Sequence, residues 1–197
     1  MKVICVLGVH GSGKTTHCEN LIKTHEQAGG PRPFFVPVGR IARDVFGAEF
    51  FAQLKENSAA PEIIEHWVRY LISFVVLLSA QTDHRVVILD GFPRKKEQFH
   101  WLMLSSPVSD WANVVEMRFL NTDKDEIAAR HARRKLERPG EAELDDRRMM
   151  EDALLFKDTK DEIICALNEQ RYPKLSCNII EVDSLGQSVI TEVKDGK

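Results

Sequence analysis

The chain has 197 residues, 43% of them hydrophobic and 29% charged, which is enough for one continuous core and one domain. Its formal net charge of -3 leaves no basic excess for a nucleic-acid polymer or an anionic membrane, so phosphate recognition is expected to be local and to serve small ligands. Four dispersed cysteines, Cys5, Cys18, Cys165 and Cys177, form no CxxC pair and read as buried small hydrophobes in a reducing compartment.

The first apolar run, Val3 to Leu7, reads as a strand, and it is too short for a signal peptide. It opens into Gly8-Val9-His10-Gly11-Ser12-Gly13-Lys14-Thr15, which fits the phosphate-loop pattern of two glycines, a lysine and a hydroxyl residue. A strand, a glycine-rich turn and then a helix aim backbone N–H groups and a helix N-terminus at one small volume. Gly11 and Gly13 allow close approach of an anion, Lys14 neutralises outer phosphates, and the Thr15 hydroxyl suits the shell of Mg²⁺. A nucleoside triphosphate is therefore expected here, with Gly8, Gly11, Ser12, Gly13, Lys14, Thr15 and Thr16 lining its site.

A helix from Thr15 to Gln27 ends at Ala28-Gly29-Gly30-Pro31. Phe34 to Val38 reads as a strand whose proline places it at an end or an edge. Helical spacing returns over Gly39 to Phe46, a polar link runs from Lys55 to Pro61, and an apolar helix follows from Glu62 to Ala80. Its most apolar part, Leu71 to Ala80, is about half the ~20 residues that cross a bilayer, so no membrane contact and a cytoplasmic location are expected. Arg85 to Asp90 is a continuous apolar strand ending in an acid. That carboxylate either caps the next helix or holds Mg²⁺ beside the loop. Asn113 to Leu120 and Asn178 to Asp183 give two further strands, with two charged helices between them broken near Arg138-Pro139-Gly140. The tail from Leu185 reads as a short last helix. Alternating strands and helices predict an α/β fold, a parallel doubly wound sheet with ligands at the strands' carboxyl ends.

Asp90-Gly91-Phe92-Pro93-Arg94, followed by Gln98, completes a second motif. Together with the phosphate loop it resembles the adenylate kinase family of nucleoside monophosphate kinases, in order and spacing, over essentially the whole chain. The resemblance implies a five-stranded parallel sheet in the order 2-3-1-4-5, a monophosphate-binding helical insert at about 39–66, and a short lid at about 135–148. It also implies a cis Phe92-Pro93 bond and places Gly39, Arg43, Gly91, Arg94 and Gln98 at the monophosphate. Arg43 and Arg94 would share one dianionic phosphate, each in a forked, charge-assisted geometry. Asp90 resembles the magnesium-associated aspartate. Arg130 and Arg134, at i and i+4 on one helix face, resemble the lid-edge arginines that meet the triphosphate, with Arg130 at ATP and both assisting transfer beside Lys14 and Arg94. Arg133, Lys135 and Arg138 leave that assignment open.

Several positions depart from the family's common pattern. His10 and Thr15-Thr16 alter the loop, with the His10 side chain expected to face away from the phosphates. Val38 replaces a hydroxyl residue near the acceptor base, whereas Gln98 favours AMP over UMP or CMP. Asp145-Asp146 resembles the lid's acidic pair, but Glu143 stands where an arginine is expected and Ala153-Leu154-Leu155 where a later one is. Arg147, Arg148 and Arg138 are candidate substitutes. The lid has no cysteine cluster and is expected to be metal-free. The expectation is a monomeric ATP:AMP phosphotransferase; a UMP/CMP kinase and a catalytically weak nucleotide-binding regulator are the alternatives.

Overall fold

The computed structural model describes residues 1–53, 60–82, 85–137, 146–172, 175–183 and 187–194, with backbone alone at 48–53, 60–61, 134–135, 137, 146–148 and 189–194. Six strands form one sheet in the order β2-β3-β1-β4-β5-β6. The strands are β1 (Lys2–Leu7), β2 (Phe34–Pro37), β3 (Val86–Asp90), β4 (Val114–Leu120), β5 (Ser176–Val182) and β6 (Ser188–Lys194). The first five are parallel in the predicted order, and Pro37 ends the edge strand β2, where a missing N–H costs the sheet least.

The sixth strand corrects the sequence reading, which placed a helix after Leu185. Ser188-Val189-Ile190-Thr191-Glu192-Val193 is rich in β-branched residues, and the exposed edge of β5 supplies an antiparallel partner with a register shift at Ile179/Ile180. Pairing to that edge outweighs the weak helical preference of so short a tail.

The helices are α1 (Lys14–Gln27), α2 (Val38–Gln53), α3 (Ala60–Ala80), α4 (Lys96–Leu104), α5 (Val108–Trp111), α6 (Lys124–Glu137) and α7 (Asp146–Asn168). Helix α2 is interrupted at Gly47, where φ is 79°. Strand β1 shows how the sheet divides the core. Val3, Cys5 and Leu7 point to a large cluster with Ile72 of α3, Phe99 of α4 and Ile163 of α7, while Ile4 and Val6 meet Cys18 and Ile22 of α1.

Two expectations about burial need correction. Cys165 is exposed, although Cys5, Cys18 and Cys177 are buried as predicted and all four are free thiols. The apolar stretch of α3 is longer than Leu71 to Ala80: Glu62–Ala80 is 19 residues, long and apolar enough to cross a membrane by length and composition. In the fold, its Val68, Ile72, Val75 and Val76 are buried against the core, while Tyr70 and Phe74 face outward.

Glu116 carries a buried charge on β4 and is paired on both sides, by Lys2 at 2.6 Å and by Arg118. His17 lies beside Arg118, and burial together with that guanidinium lowers its pKa to about 4.

The sheet order reverses direction between β1 and β3, its immediate neighbour. Both motifs follow the carboxyl ends of these two strands, so the crevice between them is where ligands bind in such sheets.

Candidate functional site

Strand β1 stops at Leu7, and the chain turns through Gly8 to Gly13 into α1. Gly13 adopts φ +90° at the N-cap, and a Cβ there would sit 2.9 Å from Nη1 of Arg130. No side chain caps α1 and no acidic residue occupies its first turn, so its leading N–H groups and positive dipole end remain available to an anion.

Lys14 folds back across the loop and donates to the carbonyls of Gly8 and Val9, each at 2.8 Å. Burial lowers its pKa to about 8; the charge of Arg94 pushes the same way, and Asp90 and Asp152 oppose it. A lysine so tuned is held ready to regain full charge when a polyanion arrives.

Thr15 donates its hydroxyl to Asp90 Oδ2 at 2.7 Å, joining the two motifs across 75 residues of sequence. Asp90 is buried at the end of β3, and the pair presents hard oxygen donors beside the loop. This donor chemistry fits Mg²⁺, with phosphate oxygens and water completing the shell. Among the described residues no group of three or more His, Cys, Asp or Glu side chains is gathered for a metal. Thr16 follows Thr15 in the first turn of α1 and is exposed.

Gly91 follows with φ +76°, its N–H bonded to Val6 O at 3.0 Å, and Phe92-Pro93 is cis. A Cβ on Gly91 would lie 3.8 Å from Lys14 Cε, so the second motif passes directly against the phosphate-loop lysine. Arg94 follows, half exposed, with Nη2 3.5 Å from Asp152 Oδ1.

Gln98 is buried rather than open to a ligand. Its carbonyl accepts the Arg94 N–H at 2.7 Å, and its amide donates to Glu65 at 2.6 Å, which is itself paired with Arg69 at 2.9 Å. Gln98 thus fixes the turn that presents Arg94. Gly39 and Arg43 lie on α2, with Arg43 exposed and its Nη1 3.9 Å from the point a Cβ would occupy on Gly39.

The β4–α6 segment roofs the loop. Arg130 Nη1 donates to Ser12 O at 2.9 Å, while its Nε pairs with Glu126 at 2.8 Å. Thr122 Oγ1 donates to the same Ser12 carbonyl at 3.1 Å. Arg130 therefore reaches the loop. Arg134 lies one turn further along the same helix, and its side chain is outside the described residues. Arg133 is exposed, and Arg138, Glu143 and Asp145 lie outside the described residues, as do the side chains of Lys135, Asp146, Arg147 and Arg148.

His10 donates its backbone N–H to Asp152 Oδ2 at 2.5 Å, and its ring stacks on His131 with centroids 5.2 Å apart. The His131 Nε2 is buried without a partner over Gly11, 2.8 Å from where a Cβ would project. Sequence reasoning missed Asp152, Thr122, His131 and Thr159. Only the run Asp152, Leu155, Phe156 and Thr159, at i, i+3, i+4 and i+7, carries a trace of a shared helix face.

Residues 4–151 match the AAA domain family AAA_18. The chain belongs to that family. Among solved structures, Kti12 from Chaetomium thermophilum in complex with ADP-AlF3 is 16% identical with a TM-score of 0.52, covering 78% of this chain and 79% of that one. A shikimate kinase from Bacteroides thetaiotaomicron is 18% identical with a TM-score of 0.46, covering 92% of this chain and 86% of that one. No curated protein matches. The AAA_18 assignment and the sheet order establish a P-loop, nucleotide-binding, kinase-like fold.

Proposed function

We propose that the protein transfers the γ-phosphoryl group of MgATP to a nucleoside monophosphate, AMP foremost, giving two ADP. The observation that carries this reading is the meeting of Lys14 and Arg94 across Gly91: one cation belongs to the triphosphate loop, the other to a separate turn pointing into the same crevice. A hydrolase or switch needs the first cation; a transferase also needs something to hold an acceptor.

In the proposed reaction the loop amides and Lys14 hold the donor phosphates, and Arg94 draws the acceptor phosphate into line. Arg130, and Arg134 beside it, close over the donor. The phosphoryl group crosses through a loose transition state, so positioning and cationic stabilisation supply most of the catalysis. Bound Mg²⁺, held through Thr15 and Asp90, supplies charge neutralisation on the donor phosphates. An ionised acceptor phosphate is itself the nucleophile, so no side-chain base is required. The domain boundaries proposed are one kinase domain over residues 1–197, with the acceptor insert at about 39–66 and the lid at about 135–148.

The base preference rests on Gln98. Because both ends of its amide are engaged, an adenine would meet it only by exchanging with Glu65, and UMP or CMP is the next candidate. A coupled assay with MgATP against AMP, GMP, CMP, UMP and dTMP is expected to show transfer fastest to AMP; no transfer to any of the five would overturn the proposal.

One observation favours a second reading, a catalytically weak nucleotide-binding regulator: α7 faces Arg94 with the carboxylate of Asp152, where an arginine would assist transfer. Tight ATP binding with negligible turnover in the same assay is its expected signature. The three buried free thiols support a reducing, cytoplasmic setting for either reading.

A further inference from the structure

We propose that Asp152 is a built-in competitor for the phosphoryl group, which the donor must expel before transfer. Its carboxylate is seated where an anion belongs. Oδ2 accepts the His10 N–H of the phosphate loop at 2.5 Å, and Oδ1 lies 3.5 Å from the Arg94 guanidinium. One aspartate therefore spans the donor loop and the acceptor arginine, the path along which a transferred group travels.

The helix carrying it is anchored to that turn. Thr159, two turns after Asp152, shares its hydroxyl proton between Leu155 O of its own helix at 2.8 Å and Arg94 O at 3.1 Å, and Phe156 packs against the core beside Phe119. The cavity between Gly8, Gly91, Arg94 and Asp152 holds only about 20 Å³. That volume is about what one water needs. A phosphoryl group and the carboxylate are both anionic and would claim the same donors, so they exclude one another. Binding the triphosphate in its reactive position thus requires Asp152 to leave His10 and Arg94.

The consequence is a lowered apparent affinity for ATP, because only the fraction of molecules with Asp152 displaced is competent to bind. ADP lacks the group that collides with the carboxylate and is affected less. The inference takes from the proposed function the path of the group past Arg94; its test reads triphosphate binding alone and does not depend on which acceptor the enzyme uses.

The test is calorimetric titration of the full chain, without acceptor, with a non-hydrolysable ATP analogue plus Mg²⁺ and separately with ADP plus Mg²⁺. Asp152→Asn keeps the shape and removes the charge; Asp152→Ala also removes the acceptor atoms and serves if the first variant fails to fold. Either variant is expected to bind the ATP analogue roughly tenfold more tightly, and ADP less than about threefold more tightly. Glu151→Gln, the same charge loss at an exposed neighbouring position, is the control and is expected to leave both affinities nearly unchanged. Unchanged affinity for the ATP analogue in both Asp152 variants would overturn the proposal. So would an equal gain for ADP, or an equal gain in Glu151→Gln, since the effect would then be diffuse electrostatics rather than competition for one seat. Failure of the acceptor panel would leave this result untouched, and failure here would leave the acceptor panel untouched.

Discussion

Lys14 concentrates the electrostatics of the site in one side chain. Its pKa of about 8 lies below the ordinary 10.5 because burial, then Arg94, disfavour its charge. The folded value lies below the unfolded one, so the penalty on folding is fully present below pH 8 and is relieved as pH rises from 8 to 10.5. A bound polyphosphate reverses the balance by favouring the ammonium. MgATP binding at pH 8 is accordingly expected to take up about half a proton, and close to none at pH 6.5. Calorimetry in buffers of different ionisation enthalpy reads this directly. Binding at pH 8 with no buffer dependence would contradict the assignment. Gln98 teaches a different lesson at this scale. Its place in the motif was legible in the sequence, but its hydrogen-bond partners were not, because Glu65 comes from a distant helix and only folding brings the two to 2.6 Å.

At the scale of elements, strands were easier to read than their ends and edges. Strands β1, β3 and β4 are largely apolar, as burial on both faces favours, and Glu116 of β4 enters as a paired charge. β6 was misread because an edge strand is recruited by a neighbour rather than by its own pattern. The helices α4 and α5 are short and were not separately predicted; they fill the path from Arg94 to β4 with Phe99, Leu102 and Val108, all fully buried. Helix α3 packs on the core through Ile72 and Val76, neither of which has exposed surface. Ile72→Ala is expected to cost about 2–5 kcal/mol from lost transfer energy and the cavity left behind. Urea denaturation measures it. A loss under about 1 kcal/mol would show that α3 does not pack on the sheet as described.

For the whole molecule, the phosphate loop and the Asp90-to-Arg94 turn were legible because each is a local string with its own geometry. Their junction at the β1/β3 switch point follows from sheet order, and the Thr15–Asp90 bond confirms that they meet. Asp152 was not legible. It reaches His10 across 142 residues of sequence, and nothing in the composition of α7 marks one acid among many. The molecule therefore combines a phosphate loop readable in the sequence with a facing turn whose surroundings depend on tertiary contacts. Fold and nucleotide binding follow from the sequence motifs and the family match. The most direct test follows the label from ATP carrying radioactive γ-phosphate, incubated with Mg²⁺, AMP and the protein. The account predicts that the label appears in the β-phosphate of ADP, and that Lys14→Ala abolishes this transfer. Label recovered only as inorganic phosphate, or retained in ATP, would contradict it.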